Sequence, residues 1–509
     1  MNWRWVSTLC VFGFSAGPVQ AFDPHVAGPC GTPHFMEEIR ASVPVEVPPR
    51  PPSTDKEERE ANGTCANSQS SDNFVLKWGN NDSVSSTAVN EMLQAFEFSW
   101  AQEIGRMGHT APVGTEQYKF NVYVGDTGSC APSVYGMGGY FTVDSQGHPF
   151  IVMSQGTMAD TTYGQSVAAH EFYHAVQHAS DAYGTSDADW YWEATATWVE
   201  REVYVSDTVY AQFIFGYAFM PHKQLNAFDY PDSGAIEEYH QYGAFIFPQY
   251  LSEHEADWTL IRDSWVEADW YTDPVELLQE LYPERSLEAV FADFAAHNAT
   301  WDYLDGYLYE QILEYTADET AFGIYDRRVV DTVGSQGTGE EWVDGSPETL
   351  PERYGYNVIR LTSPESRKLT VRFQGDPAGI DGSAARYQVR LVREFGTNRT
   401  YTEVPIEGVE GTLDVGQVGT EAALYLVVSA FSDQWNTGET FGYRYQMDMG
   451  EVDNPGVDTS TGGAKPQALH IGSDEPSACG CVQGRGAGGL WLAGLGLGLA
   501  LRRRRPIAG

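Results

Sequence analysis

The segment Gln165-Ser-Val-Ala-Ala-His-Glu-Phe-Tyr-His-Ala-Val-Gln-His178 constrains this chain more than any other stretch. His170 and His174 stand four residues apart, so on a helix both imidazoles leave one face about one turn apart. That placement suits chelation of a single Zn2+ through two nitrogens. Glu171 lies between them and reaches the same site from one side, as the general base toward a water activated by the ion. Val167 and Val176 supply apolar contacts that would bury such a helix. His178 sits about 40° from His174 around the helix. It is expected to be a structural residue or to support a ligand rather than bind metal, because Gln177 and Ser180 occupy the positions where a metzincin has its glycine and third histidine.

A second segment follows, Trp190-Tyr-Trp-Glu-Ala-Thr-Ala-Thr-Trp-Val-Glu200, with Glu193 nineteen residues after His174. Catalytic zinc takes three protein ligands and keeps one open position, and two histidines with a glutamate are one such set. A helix bearing Glu193 would complete it, and Ala194 and Ala196 would let that helix approach the first closely. Glu200, seven residues on, shares the face of Glu193 and is placed to hydrogen-bond a ligating imidazole.

Together the two segments resemble the active-site helices of the gluzincin metallopeptidases, over about 31 residues: HExxH, an eighteen-residue gap, Trp-x-x-Glu-small-x-Ala, and a further Glu seven residues on. The resemblance implies a zincin-like fold, one catalytic zinc held by His170, His174 and Glu193, and Glu171 as base. The Gly-x-Met-Glu-Asn loop with which the aminopeptidases of that group bind a substrate amine is absent, which leaves endo- against exopeptidase open. Downstream, Tyr239-His-Gln-Tyr-Gly-Ala244 resembles the gluzincin helix that presents a tyrosine to the oxyanion. Tyr242 is the expected residue, His240 the alternative because it stands three before Gly243, and plain aromatic packing the reading without function. The strand Tyr140 to Val143, or Phe150 to Met153, is a candidate to pair with an extended substrate.

Around these segments the patterns predict an α+β chain: a zincin-like catalytic domain of mixed sheet and active-site helices, then a β-sandwich. Phe74 to Trp78, Lys119 to Val124, Tyr140 to Val143 and Phe150 to Met153 read as strands, and Ser86 to Met107 as a helix ended by Gly108. Helical spacing dominates from Tyr163 to Phe322, and Tyr356 to Leu361, Lys368 to Phe373, Tyr387 to Val392 and Ala423 to Val428 read as sandwich strands. The resulting division is 1–21 signal peptide, 22–73 Pro-rich linker or prosegment, 74–325 catalytic domain, 326–451 sandwich, 452–478 stalk, and 479–509 anchoring signal. Acidic turns such as Asp376 to Asp381 are candidates for Ca2+, although no EF-hand loop occurs.

The ends carry addresses. Arg4, the apolar Val6 to Phe14 and Val19-Gln-Ala21 form a secretory signal. Cys479-Gly-Cys481, the apolar run to Leu501 and Arg502 to Arg505 resemble a myxobacterial-type C-terminal sorting signal, with a simple tail anchor as the alternative. The chain as a whole resembles secreted bacterial metalloproteases of that type. Of Cys30, Cys65 and Cys130, only two can pair internally, and Cys30–Cys65 is the first expectation.

Charge then sorts the partners. With 71 acidic residues against 30 basic ones, a nucleic-acid partner is excluded, since phosphate binding needs clustered Lys and Arg. The expected protein is a monomeric, secreted, cell-surface-anchored zinc metallopeptidase acting on peptides or proteins, touching the membrane only through its C-terminal anchor. The alternatives are a catalytically inactive zincin-like adhesion or binding protein and a non-peptidase hydrolase using the same zinc site.

Overall fold

The computed structural model describes residues 30–41, 56–60, 63–229, 236–318, 331–334, 341–362 and 367–452. The expected signal peptide, the Pro-rich stretch Val43 to Pro52, and the expected stalk and anchoring signal lie outside the described residues. The described residues all belong to one compact unit.

The first sheet contains β1 (Asn67–Ser70), β2 (Phe74–Trp78), β3 (Phe120–Val124), β4 (Gly139–Val143) and β5 (Pro149–Met153), in the order β1-β2-β3-β5-β4. β2, β3 and β5 run parallel to one another, and β1 and β4 are antiparallel at the edges. β3 and β5 are buried at every position, and β2 at all but its last, because both faces of the sheet are covered. Phe74, Leu76, Phe120, Val122, Phe141, Ile151 and Met153 face the main core. Tyr123, Tyr140, Phe150 and Val152 form a smaller cluster on the other face with Cys130. β5 lies between β3 and β4, so it cannot accept a substrate strand; of the two candidates only β4 is an edge.

The linker expected over 22–73 is ordered where described. A short turn over Thr32–Phe35 leads into α1 (Met36–Ala41), with Thr32, Pro33, Met36 and Ile39 buried. The disulfide also differs from the expectation: Cys65 pairs with Cys130, and Cys30 is buried and free. A Cys30–Cys65 bond would staple the N-terminal segment, whereas the sheet carries Cys65 and Cys130 onto its outer face while Cys30 enters the core cluster with the helices.

The helices are α2 (Ser86–Trp100), α3 (Gln155–Ala159), α4 (Thr161–Ala179), α5 (Asp189–Val203), α6 (Ile214–Ala218), α7 (His240–Gly243), α8 (Ile246–Tyr250), α9 (Trp258–Val266), α10 (Pro274–Leu281), α11 (Leu287–Asn298) and α12 (Gly306–Asp318). Ser85 caps α2 by accepting from Ala88 N–H, and the helix widens into a π turn over Ala101–Arg106 before Gly108 takes φ +78°. Among the described residues no helix is long and apolar enough to cross a membrane.

The remaining strands are β6 (Asp331–Gly334), β7 (Val343–Asp344), β8 (Gly355–Thr362), β9 (Arg367–Gly375), β10 (Arg386–Phe395), β11 (Asn398–Val404), β12 (Ile406–Glu407), β13 (Glu410–Val418), β14 (Ala423–Phe431) and β15 (Tyr443–Val452). They form two five-stranded sheets, β11-β10-β14-β8-β6 and β12-β13-β9-β15-β7, which share one core containing Val389, Leu426, Val371 and Tyr445. β14 is almost wholly buried because its second face packs against the helical part, where Val427 and Phe431 join the main core. Arg390 bonds Asp293 of α11 at 2.6 Å and Arg399 bonds Asp302 at 3.1 Å. The sandwich sheets and the helices are therefore continuous parts of one unit.

Candidate metal centre

Asp160 caps α4 by accepting from the N–H groups of Thr162 and Tyr163, both at 3.1 Å. The helix runs through the core and is buried on nearly every side from Ala168 to Gln177. α5 packs beside it, with Ala194 and Ala196 both fully buried. The two helices bring Cys30 Sγ, one nitrogen each of His170 and His174, and a Glu193 carboxylate oxygen within 4.8 Å of one another. This buried group could hold a metal ion. Among the described residues no second group of this kind occurs, the Asp376 to Asp381 turn included.

The two imidazoles turn their Nε2 atoms toward each other at 3.1 Å. Glu193 spans them, 3.2 Å from His170 Nε2 and 3.5 Å from His174 Nε2. The outer nitrogens are spoken for. His170 Nδ1 donates to Glu200 at 2.9 Å, and His174 Nδ1 donates to the Gln177 amide oxygen at 2.6 Å. Gln177 is oriented in turn by its own amide, which donates to the Trp192 carbonyl and to Thr195 Oγ1, both at 2.9 Å. Ser166 donates to the other oxygen of Glu200. These partners leave the Nε2 lone pairs of both rings facing the centre.

Glu171 stands beside the group rather than in it. Its Oε2 accepts from Thr32 Oγ1 at 3.1 Å and lies 3.5 Å from the Cys30 thiol, while its buried Oε1 has no hydrogen-bond partner among the described residues. Burial pushes the Glu171 carboxyl up, with the two imidazoles resisting. Burial also acts to raise Glu193, but His174 and His170 hold it down at about 2. The Cys30 thiol is pushed up by burial and by the Glu171 and Glu193 carboxylates.

Of the two residues expected near an oxyanion, Tyr242 is at the site. Its ring lies 6.3 Å from His170, and its hydroxyl, kept protonated by burial, donates to the Cys30 carbonyl at 3.1 Å. Beside it is a cavity of about 20 Å3, bordered also by Tyr163, Val167 and Glu171, with room for about one water molecule. His240 is turned away. Its Nδ1 lies 3.3 Å from the Ala227 carbonyl, its ring packs on Tyr217, and its Nε2 has no hydrogen-bond partner among the described residues. Two residues apart on the short α7, His240 and Tyr242 leave the helix about 200° apart and do not share a target. His178 packs its ring on Phe141 at 5.7 Å, so the role expected of it next to a ligand is held instead by Gln177, one residue earlier. Cys30, Thr32, Ser166 and Gln177 are the site residues that local sequence patterns do not reveal.

His240 has a consequence for acid stability. Burial holds its imidazole neutral, down at about 3 against an ordinary value near 6.5. A depressed histidine contributes stability that is fully present above about pH 6.5 and is lost as pH falls toward 3, because the unfolded chain takes up the proton first. In urea unfolding, stability should drop between about pH 7 and 5, and His240→Gln should reduce that drop by about 2 kcal/mol. An unchanged drop would remove His240 from this role.

A protein-family model described as a family of unknown function (DUF6055) matches residues 39–450, a span that begins after Cys30 and contains the other residues of the centre. No curated protein matches the chain.

Proposed function

We propose that this chain, which belongs to the DUF6055 family, is a secreted zinc metallopeptidase of gluzincin type. One observation carries the reading: two imidazole Nε2 atoms and a carboxylate converge on one point, with a second carboxylate beside it that ligates nothing. The spacing fits zinc. Bond lengths of about 2.0–2.1 Å to N and 2.3 Å to S around a tetrahedral ion imply separations of about 3.4 Å between nitrogens and about 3.5 Å between sulfur and nitrogen. The corresponding distances are 3.1 Å for the two imidazoles and 3.5 Å from Cys30 Sγ to His174, while Glu193 reaches His170 with one oxygen at 3.2 Å and His174 with the other at 3.5 Å, and all four donors lie within 4.8 Å of one another.

When bound, zinc would lower the pKa of a water toward about 7 and polarise a peptide carbonyl. The chain's own residues do the rest. Glu200 and Gln177 hold the ligand imidazoles in the tautomer that points Nε2 inward. Glu171 takes a proton from the attacking water and returns it to the leaving amine. Tyr242 donates its hydroxyl proton to the oxygen on which charge develops. The Cys65–Cys130 disulfide favours an oxidising compartment, which agrees with export through the N-terminal signal and retention through the C-terminal one.

A second reading is favoured by Cys30, since four protein ligands make a closed, structural site. The test is metal analysis of the full chain, with casein cleavage measured after Cys30→Ser so that no thiol competes for the fourth position. The proposal expects one zinc per chain and cleavage abolished by chelation and restored by zinc. Bound zinc without cleavage would favour the structural site, and no zinc would end both readings.

A further inference from the structure

We infer that residues Cys30 to Thr32 are a built-in plug that keeps the full chain latent, with the Cys30 thiolate as fourth zinc ligand and its backbone in the place of a peptide substrate. This rests on the zinc-peptidase reading. Five contacts made by three consecutive residues carry it. Cys30 Sγ lies 3.5 Å from His174 Nε2 and adds a fourth donor to a set in which a catalytic zinc would keep one position for water. The Cys30 carbonyl accepts from Tyr242, the group assigned to a substrate oxygen. Gly31 N–H donates to the Gly139 carbonyl at 2.9 Å, on the sheet edge where an extended substrate would add. Thr32 Oγ1 accepts from Phe141 N–H at 3.0 Å and donates to Glu171 at 3.1 Å, so the base is engaged as well.

The segment is shaped and anchored for this position. Gly31 approaches β4 so closely that a Cβ there would lie 3.1 Å from Tyr140 Cβ and run into Met137. Phe35 stacks on Tyr140 at 4.5 Å, and Arg40 forms an ion pair with Asp189 at the start of α5. With the plug seated, the adjoining cavity holds about one water and no peptide. The chemistry balances without a redox partner. The thiol gives up its proton as the metal–sulfur bond forms, and Glu171 Oε2, 3.5 Å away, is placed to accept it. When the segment withdraws, the sulfur takes back a proton and water takes the vacated coordination position.

The test uses the full chain loaded with Co2+ or Zn2+. Wild type should show a thiolate-to-cobalt charge-transfer band that Cys30→Ser lacks, with one metal bound in both. Alkylation of Cys30, followed by mass spectrometry of its peptide, should be at least about tenfold slower with zinc than after chelation. Casein cleavage should rise at least about tenfold in Cys30→Ser, as for a plug closed in about nine molecules of ten. Thr32→Val, which leaves every ligand in place but frees Glu171, should raise the alkylation rate and cleavage in the same direction. Metal bound by wild type without the band, and alkylation indifferent to zinc, would overturn the plug while leaving the zinc reading intact. Metal bound by wild type but lost in Cys30→Ser would make Cys30 a structural ligand and overturn it too. No metal bound by either chain would bring down the peptidase reading on which the plug rests.

Discussion

Glu171→Gln, introduced into the Cys30→Ser chain, is expected to retain one zinc and lose about 10²–10⁴-fold in casein cleavage. The substitution keeps the shape of the side chain and an oxygen able to accept from Thr32, so neither packing nor the metal is disturbed. What disappears is a carboxylate able to take a proton at Oε1, which is buried without a partner among the described residues. General-base catalysis of this size corresponds to about 3–5 kcal/mol of transition-state stabilisation. Zinc analysis and single-turnover cleavage separate the two effects. Cleavage within tenfold of the parent would reject Glu171 as the base, and loss of zinc would reject the claim that it is no ligand.

The second large effect is on metal affinity. If zinc binding in a protein site is worth about 10–16 kcal/mol over its ligands, removing one should weaken it by about 10²–10³-fold or more. Glu193→Gln is the cleanest variant, because it preserves volume at a fully buried position and removes the charge that bridges both imidazoles. Glu200→Gln touches the metal only through His170 Nδ1 and should cost about 10–100-fold. Competition against a chromophoric chelator ranks the two. Equal affinities in wild type and Glu193→Gln would remove Glu193 from the ligand set, and a larger loss in Glu200→Gln would reverse the roles given to the two carboxylates.

The pairing of His170 with His174 is legible because both lie within one helix, where spacing sets direction. Glu193 and Glu200 are legible for the same reason on α5, once the two helices are assumed to meet. The strands β2, β3, β4 and β5 announce themselves by apolar runs, while β1, Asn-Ser-Gln-Ser, has no apolar residue and exists because β2 offers it an edge. β14 reads as a strand from its sequence, but that both of its faces are buried depends on α11 lying across it.

Gln177 stands in plain view beside His178, yet nothing in its neighbours favours it over that histidine. Its part follows from the Trp192 carbonyl and the Thr195 hydroxyl on the other helix, which turn its amide so that the oxygen meets His174. His240 and Tyr242 are equally separated by tertiary direction: one points at Ala227, the other at Cys30.

Local patterns thus determined by themselves the two helices that carry His170, His174 and Glu193, three of the four clustered residues, and the α+β class. They did so because helix and strand periodicity translate sequence spacing directly into facing. Only the tertiary structure decided that Cys65 joins Cys130 and that Cys30 joins the metal group. Both choices bring together residues 65 to 144 positions apart, and such contacts depend on which edge of a sheet a segment covers, a property no window of sequence contains.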